Sequence, residues 1–221
     1  MASLVALKWL FIVPLLIASS SADSKNNPAD ELVAVLNSNR TAHNSSSLYD
    51  NPGLGCIALQ YIKAYQGKCD EVSGSDAKKP IDSDFAQVFA PNCGVDASTL
   101  GSITGRLIGC QTKYVHASEA FSEVLIKDAR SLSILYDKNH TEVGAGISGS
   151  DGGSPYFWCI LFSSGKQNSS FVLQGGTAKV QRPGCFSGTN ESCSGAVRSA
   201  VASGIVSGIF LSLVCASLFI L

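Results

Sequence analysis

The sequence predicts an α+β domain stapled by disulfides, with helices first and a β-hairpin near 142–163. Three observations predict it. Asn27-Pro28 and Asn51-Pro52 each open a stretch with apolar residues at helical spacing. Two strand-like runs, 142–147 and 156–162, flank a Gly/Ser tip. The chain holds eight cysteines, which read as disulfides if it is exported.

The elements follow in order. Asn27 caps the first helix, Pro28 suits its first position, and Asp30 and Glu31 face the positive end of the helix dipole. Leu32, Val35, Leu36 and Asn39 continue the helical spacing, and 40–50 is a polar surface loop. Leu54, Ile57, Ala58, Tyr61, Ile62 and Tyr65 mark one face of the second helix, with Gly67 as its stop and Cys69 beyond. The Ser/Gly/Asp/Lys-rich stretch 71–84 is a loop, and 84–89 a short helix ended by Pro91. Residues 95–110, with glycines at 101, 105 and 109, show no period that assigns them. Phe121, Val124 and Leu125 place a third helix over 118–127, running on towards Leu132. The hairpin follows, and 165–192 reads as a loop-rich stalk.

The two ends point to export and a membrane. Lys8, the apolar run 9–18 and the small residues Ser20-Ser21-Ala22 form a secretory signal cleaved before Asp23; the run is too short to serve as a membrane span. The segment 200–221 carries no charge and ends the chain, whereas a single-pass span normally has Lys or Arg on its cytoplasmic side. An apolar tail, a short spacer and small residues upstream form the attachment signal for a glycosylphosphatidylinositol (GPI) anchor. A transmembrane helix with no cytoplasmic tail is the alternative. Ser194-Gly195-Ala196 is the best small-residue triplet; Asn190 and Ser187 leave a spacer of more usual length. Cutting after Ser194 keeps seven cysteines, and cutting at Asn190 or Ser187 keeps six: Cys56, Cys69, Cys93, Cys110, Cys159 and Cys185. The even set suits full pairing, and a buried free Cys159 suits the odd one. The pairing itself is not fixed by the sequence.

The expected division is thus a signal peptide at 1–22, a globular ectodomain at 23–165, a stalk at 166–194 and a removed propeptide at 195–221. Sequons at Asn39, Asn44, Asn139, Asn168 and Asn190 make it a glycoprotein whose modified asparagines are exposed. A net charge of −1 argues against a nucleic-acid partner.

No catalytic, metal or cofactor set is expected. Gly144-x-Gly146-x-x-Gly149 matches a dinucleotide fingerprint by letter, but a second strand follows where a helix is needed; the glycines instead thin a strand against a close neighbour. His43 and His140 read as solvated, and His116 as a neighbour of a helix cap. Tyr61, Tyr65, Phe157 and Trp158 read as core aromatics before they read as a ligand cleft.

The segments Asn92-Cys-Gly-Val, Ser118-Glu-Ala-Phe121, Asn139-His-Thr-Glu-Val-Gly144, Phe157-Trp-Cys159 and Gly184-Cys-Phe-Ser-Gly188 resemble a plant family of GPI-anchored membrane glycoproteins over essentially the whole chain. That resemblance implies an address and no activity. The order of 117–162 is remotely similar to the C-terminal half of the CAP superfamily (cysteine-rich secretory proteins, antigen 5 and pathogenesis-related 1), with Asp128-Ala-Arg130, Asn139–Ile147 and Tyr156-Phe-Trp158 in its order. It implies an α-β-α sandwich. The cleft histidines of that family do not carry over, since Ala129-Arg130 stands where the second would fall.

The expectation is therefore a GPI-anchored cell-surface glycoprotein: a non-catalytic, CAP-like module, membrane-bound through its lipid, with an unidentified surface protein or small ligand as partner. One alternative is a secreted-class enzyme using His116 with Glu119 or Glu123, which requires a polar cleft around them. The other is a purely structural surface glycoprotein.

Overall fold

Asn27 and Asn51 both cap as their side chains allow. The Asn27 carboxamide oxygen accepts from the Ala29 amide at 3.0 Å, and that of Asn51 from Gly53 at 2.9 Å. They open α1, Pro28–Ala42, and α2, Pro52–Lys63, with β1, Tyr49–Asp50, between them. The computed structural model describes residues 27–64, 69, 84–149, 155–166, 184–189 and 193. The signal, the propeptide, the sequons at Asn168 and Asn190, and Ser194 lie outside the described residues.

The middle of the chain departs from expectation in three places. Helix α3 spans Phe85–Cys93 and carries Pro91 in its last turn, where little of the helical hydrogen-bond ladder remains to be lost. Gly94, at φ 66°, ends it, its amide reaching Ala90 and Pro91 carbonyls. The unassigned stretch holds strand β2, Ile103–Gln111. The third helix is broken: α4, Ala117–Glu119, widens into a π-helical turn, Ala120–Leu125, and α5 restarts at Ala129–Leu135. Asp128 causes the restart, forming a capping box with Ser131.

Strands β3, Glu142–Ser148, and β4, Tyr156–Ser163, form the expected hairpin. The sheet order is β1-β3-β4-β2, with β1 parallel to β3 and the other pairs antiparallel. The segment read as stalk contributes a further strand, β5, Cys185–Phe186. It pairs with Gly146 and Ile147 of β3, on the edge that β1 uses at Glu142 and Val143. Residues 185 and 186 thus join the sheet from beyond position 165.

Strand alternation puts a core on each face of the sheet. Tyr156, Trp158, Ile160 and Phe162 join Val143, Ala145 and Ile147 in a cluster with α1, α4 and α5. Phe157, Cys159 and Leu161 face α2 and α3 with Tyr61, Phe85 and Phe89. The result is an α+β domain with a mixed sheet between helices.

Gly144 and Gly146 explain the fingerprint-like run. A methyl on Gly144 would fall on the backbone of Leu54 and Gly55, and one on Gly146 on the backbone of Leu59. The glycines let α2 lie directly on the sheet.

Among the described residues there are three disulfides: Cys56–Cys93, Cys69–Cys110 and Cys185–Cys193. They suggest an extracellular or secretory-pathway protein. Among the six candidate cysteines, Cys159 is the exception, and Cys193 takes its place as the sixth bonded residue. Cys159 lies mid-strand in β4, opposite Ile108 on one side and Gly146 on the other, and packs as a small apolar side chain. Its thiol is pushed up to about 12 by burial, so it is held as the unreactive protonated form.

Candidate functional site

Two regions concentrate polar side chains that the core does not need. The first is the junction where the C-terminal segment docks. After β5, the Ser187 hydroxyl donates to Asp50 Oδ1 at 2.6 Å and accepts from the Ala145 amide at 3.0 Å. The Gly188 amide donates to Asp30 Oδ1 at 2.7 Å, and Asn27 Nδ2 donates to the Phe186 carbonyl at 3.0 Å. The Cys185–Cys193 disulfide closes the segment. Burial raises Asp50 to about 6, against the lowering bond from Ser187, with Asp30 adding repulsion. Burial also raises Asp30. Two carboxylates, the Asn27 carboxamide and two backbone amides thus fix residues 186–188 to the start of α1, to β1 and to β3.

This junction bears on the candidate attachment residues. Ser187 is fully buried and bonded on both sides. A chain cut after Ser187 loses the Gly188 bond to Asp30 and the partner of Cys185; a cut after Asn190 also loses Cys193. A cut after Ser194 keeps all of these contacts.

The second region surrounds Arg40, 1% exposed at the end of α1. Its guanidinium donates to the carbonyls of Ser46, Leu135 and Asp137, and so joins the loop after α1 to the loop after α5. Tyr136 Oη donates to Asn39 Oδ1 at 2.7 Å, and the His43 ring lies 4.9 Å from that of Tyr136. Sequon Asn39 is half-buried inside α1, while Asn44 and Asn139 are exposed on the two joined loops.

His140 is buried, contrary to its expected solvation. Its ring stacks on Phe162 at 4.4 Å, with Nε2 against the Ile134 carbonyl at 2.7 Å and Nδ1 against the Thr104 hydroxyl at 2.6 Å. A carbonyl can only accept, so Nε2 carries the proton and Nδ1 accepts from Thr104. Burial lowers its pKa and keeps it neutral. The flanking polar sequon segment hid this packing role.

An open groove of about 260 Å³ runs between β2 and the π-turn with α5. Leu107, Gly109 and Val124 line it, with exposed Lys127, Asp128 and Arg130. Asp128 is committed to the Ser131 amide at 2.7 Å. Arg106 also lines the groove, and its guanidinium lies over the rings of Tyr61 and Phe85 at 5.4 and 5.3 Å. The groove therefore presents Lys127, Arg130 and the Asp128 carboxylate beside a few apolar side chains, with more polar than apolar lining.

His116, Glu119 and Glu123 are all exposed. Among the described residues, they do not line the groove between β2 and the π-turn. Tyr61, Phe157 and Trp158 are fully buried and divided between the two cores. Among the described residues, no group of three or more His, Cys, Asp or Glu side chains is placed to hold a metal. No described helix is long and apolar enough to cross a membrane.

No protein-family description matches this chain, and no curated protein is significantly similar to it.

Proposed function

We propose that this protein is a GPI-anchored glycoprotein of the outer cell surface, a non-catalytic, CAP-like interaction module carried at the membrane. One observation supports the reading most. The Cys185–Cys193 disulfide holds the chain to the sheet up to the residue before Ser194, where the small triplet Ser194-Gly195-Ala196 begins. The uncharged segment 200–221 follows as the expected removable tail. The disulfides agree with passage through the secretory pathway.

The junction also supports Ser194 over Asn190 and Ser187, because it alone preserves the docked segment. The odd cysteine count that follows is balanced by the buried free Cys159. The layering of helices about the sheet is compatible with a CAP-like sandwich. Among the described residues, the open groove beside Lys127 and Arg130 is a candidate contact surface for a ligand with an anionic group.

The test is release from intact cells. A GPI-specific phospholipase is expected to release the protein in soluble form. Retention after phospholipase, with release only by detergent, overturns the lipid tether and leaves a peptide span.

A further inference from the structure

The two polar regions sit at opposite ends of α1. That helix has 15 residues, which at the α-helical rise makes it about 22 Å long. Its first turn meets the docked C-terminal segment through Asn27 and Asp30. Its last turn meets the Arg40 hub, which gathers Ser46, Leu135 and Asp137.

The described sequons are not equivalent at that far end. Asn44 is exposed at φ 58°, a backbone that asparagine tolerates at a turn tip. Asn139 is exposed, and its backbone amide is turned onto Asp137 Oδ1 at 2.9 Å. In the third sequon every position is engaged. Asn39 accepts from Tyr136, Arg40 is buried, and the Thr41 hydroxyl is turned back onto the Asn37 and Ser38 carbonyls at 3.0 and 2.9 Å.

We propose that N-linked glycans on Asn44 and Asn139 crown the end of the domain farthest from the C-terminal tether, and that Asn39 stays bare as a packing residue. The orientation rests on the lipid-anchor reading; the occupancy does not. The tether at Cys193 and the sugars then lie about one helix length apart. The glycosylated end points away from the bilayer, and the start of α1 faces it.

The experiment has two readouts on the full chain expressed in glycosylating cells. Enzymatic deglycosylation in heavy-oxygen water, followed by peptide mass, reads each sequon. Asn44 and Asn139 are expected to carry the label and Asn39 none, and Asn44→Gln and Asn139→Gln each to remove one glycan while Asn39→Gln removes none. A glycan on Asn39, or none on Asn44 or Asn139, overturns the assignment. Energy transfer to dye-labelled lipid headgroups in phosphatidylcholine vesicles carrying the purified protein reads orientation. A dye at the mature N-terminus, just before Asn27, is expected to transfer more strongly than a dye on either glycan. Equal or reversed transfer overturns the orientation. Failure of the protein to bind vesicles overturns the tether and the orientation with it, and leaves the sequon result to decide the sugars by itself.

Discussion

Helices α2 and α3 meet the sheet differently from α1, α4 and α5. On the first face, α2 lies backbone against backbone over Gly144 and Gly146, and the Cys56–Cys93 disulfide ties it to α3. On the second face, one backbone approach, Gly109 against Val124 of the π-turn, is joined by packing between side chains, and the far end is closed by hydrogen bonds from one buried arginine. A close backbone contact has no room to relax, so the first face depends on the absence of atoms. The second depends on the presence of a charged side chain whose partners are main-chain carbonyls.

The most damaging way to break the contrast is Gly146→Val. The added carbons fall on the Leu59 backbone, which cannot move aside without shifting α2. The expected loss is about 4 kcal/mol or more, at the high end for one substitution, read as poor secretion or a large fall in urea midpoint. Next is Cys56→Ala with Cys93→Ala. The bridged residues are 37 apart, so releasing this constraint on the unfolded chain is expected to cost about 3–4 kcal/mol in oxidising buffer.

On the second face, Arg40→Met keeps much of the side-chain bulk and strips the donors from Ser46, Leu135 and Asp137. The expected loss is about 2–3 kcal/mol, measured by chemical denaturation. A loss as small as that of an exposed substitution would remove the hub from the account.

The smallest effect sharpens the sheet edge shared by β1 and β5. Asp50 is raised from 3.8 to about 6. Between those values the folded state binds the extra proton, so stability falls as pH rises and the loss is complete above about 6. Asp50→Asn is expected to flatten this slope and to gain about 1–2 kcal/mol at neutral pH, with the Ser187 bond retained. Comparison with wild type isolates Asp50 from His140, whose lowered pKa makes stability rise with pH.

The legible parts of the fold were those with local causes. Asn-Pro caps and two strand-like runs either side of a Gly/Ser tip placed α1, α2 and the hairpin because both signals act within a few residues. Strand β2 was hidden because Gly105 and Gly109 replace the side chains that would show its alternation; their space is taken by Ile134, His140 and Val124. The break at Asp128 was hidden because Phe121, Val124 and Leu125 led smoothly towards Leu132, which is exposed on α5. At the candidate site, the exposure of Asn44 and Asn139 was readable from polar loops. The docking of Ser187 and the burial of Arg40 were not, since both depend on partners more than 90 residues away.

The central claim is a lipid placed directly after the disulfide-held segment. Mass analysis of the C-terminal peptide from membrane-bound protein, digested without reduction, tests it most directly. The expected product ends at Ser194, bears an ethanolamine-phosphate glycan, and is joined through Cys193 to Cys185. A membrane-bound peptide continuing through Arg198, or an anchor found on Ser187 or Asn190, would contradict it.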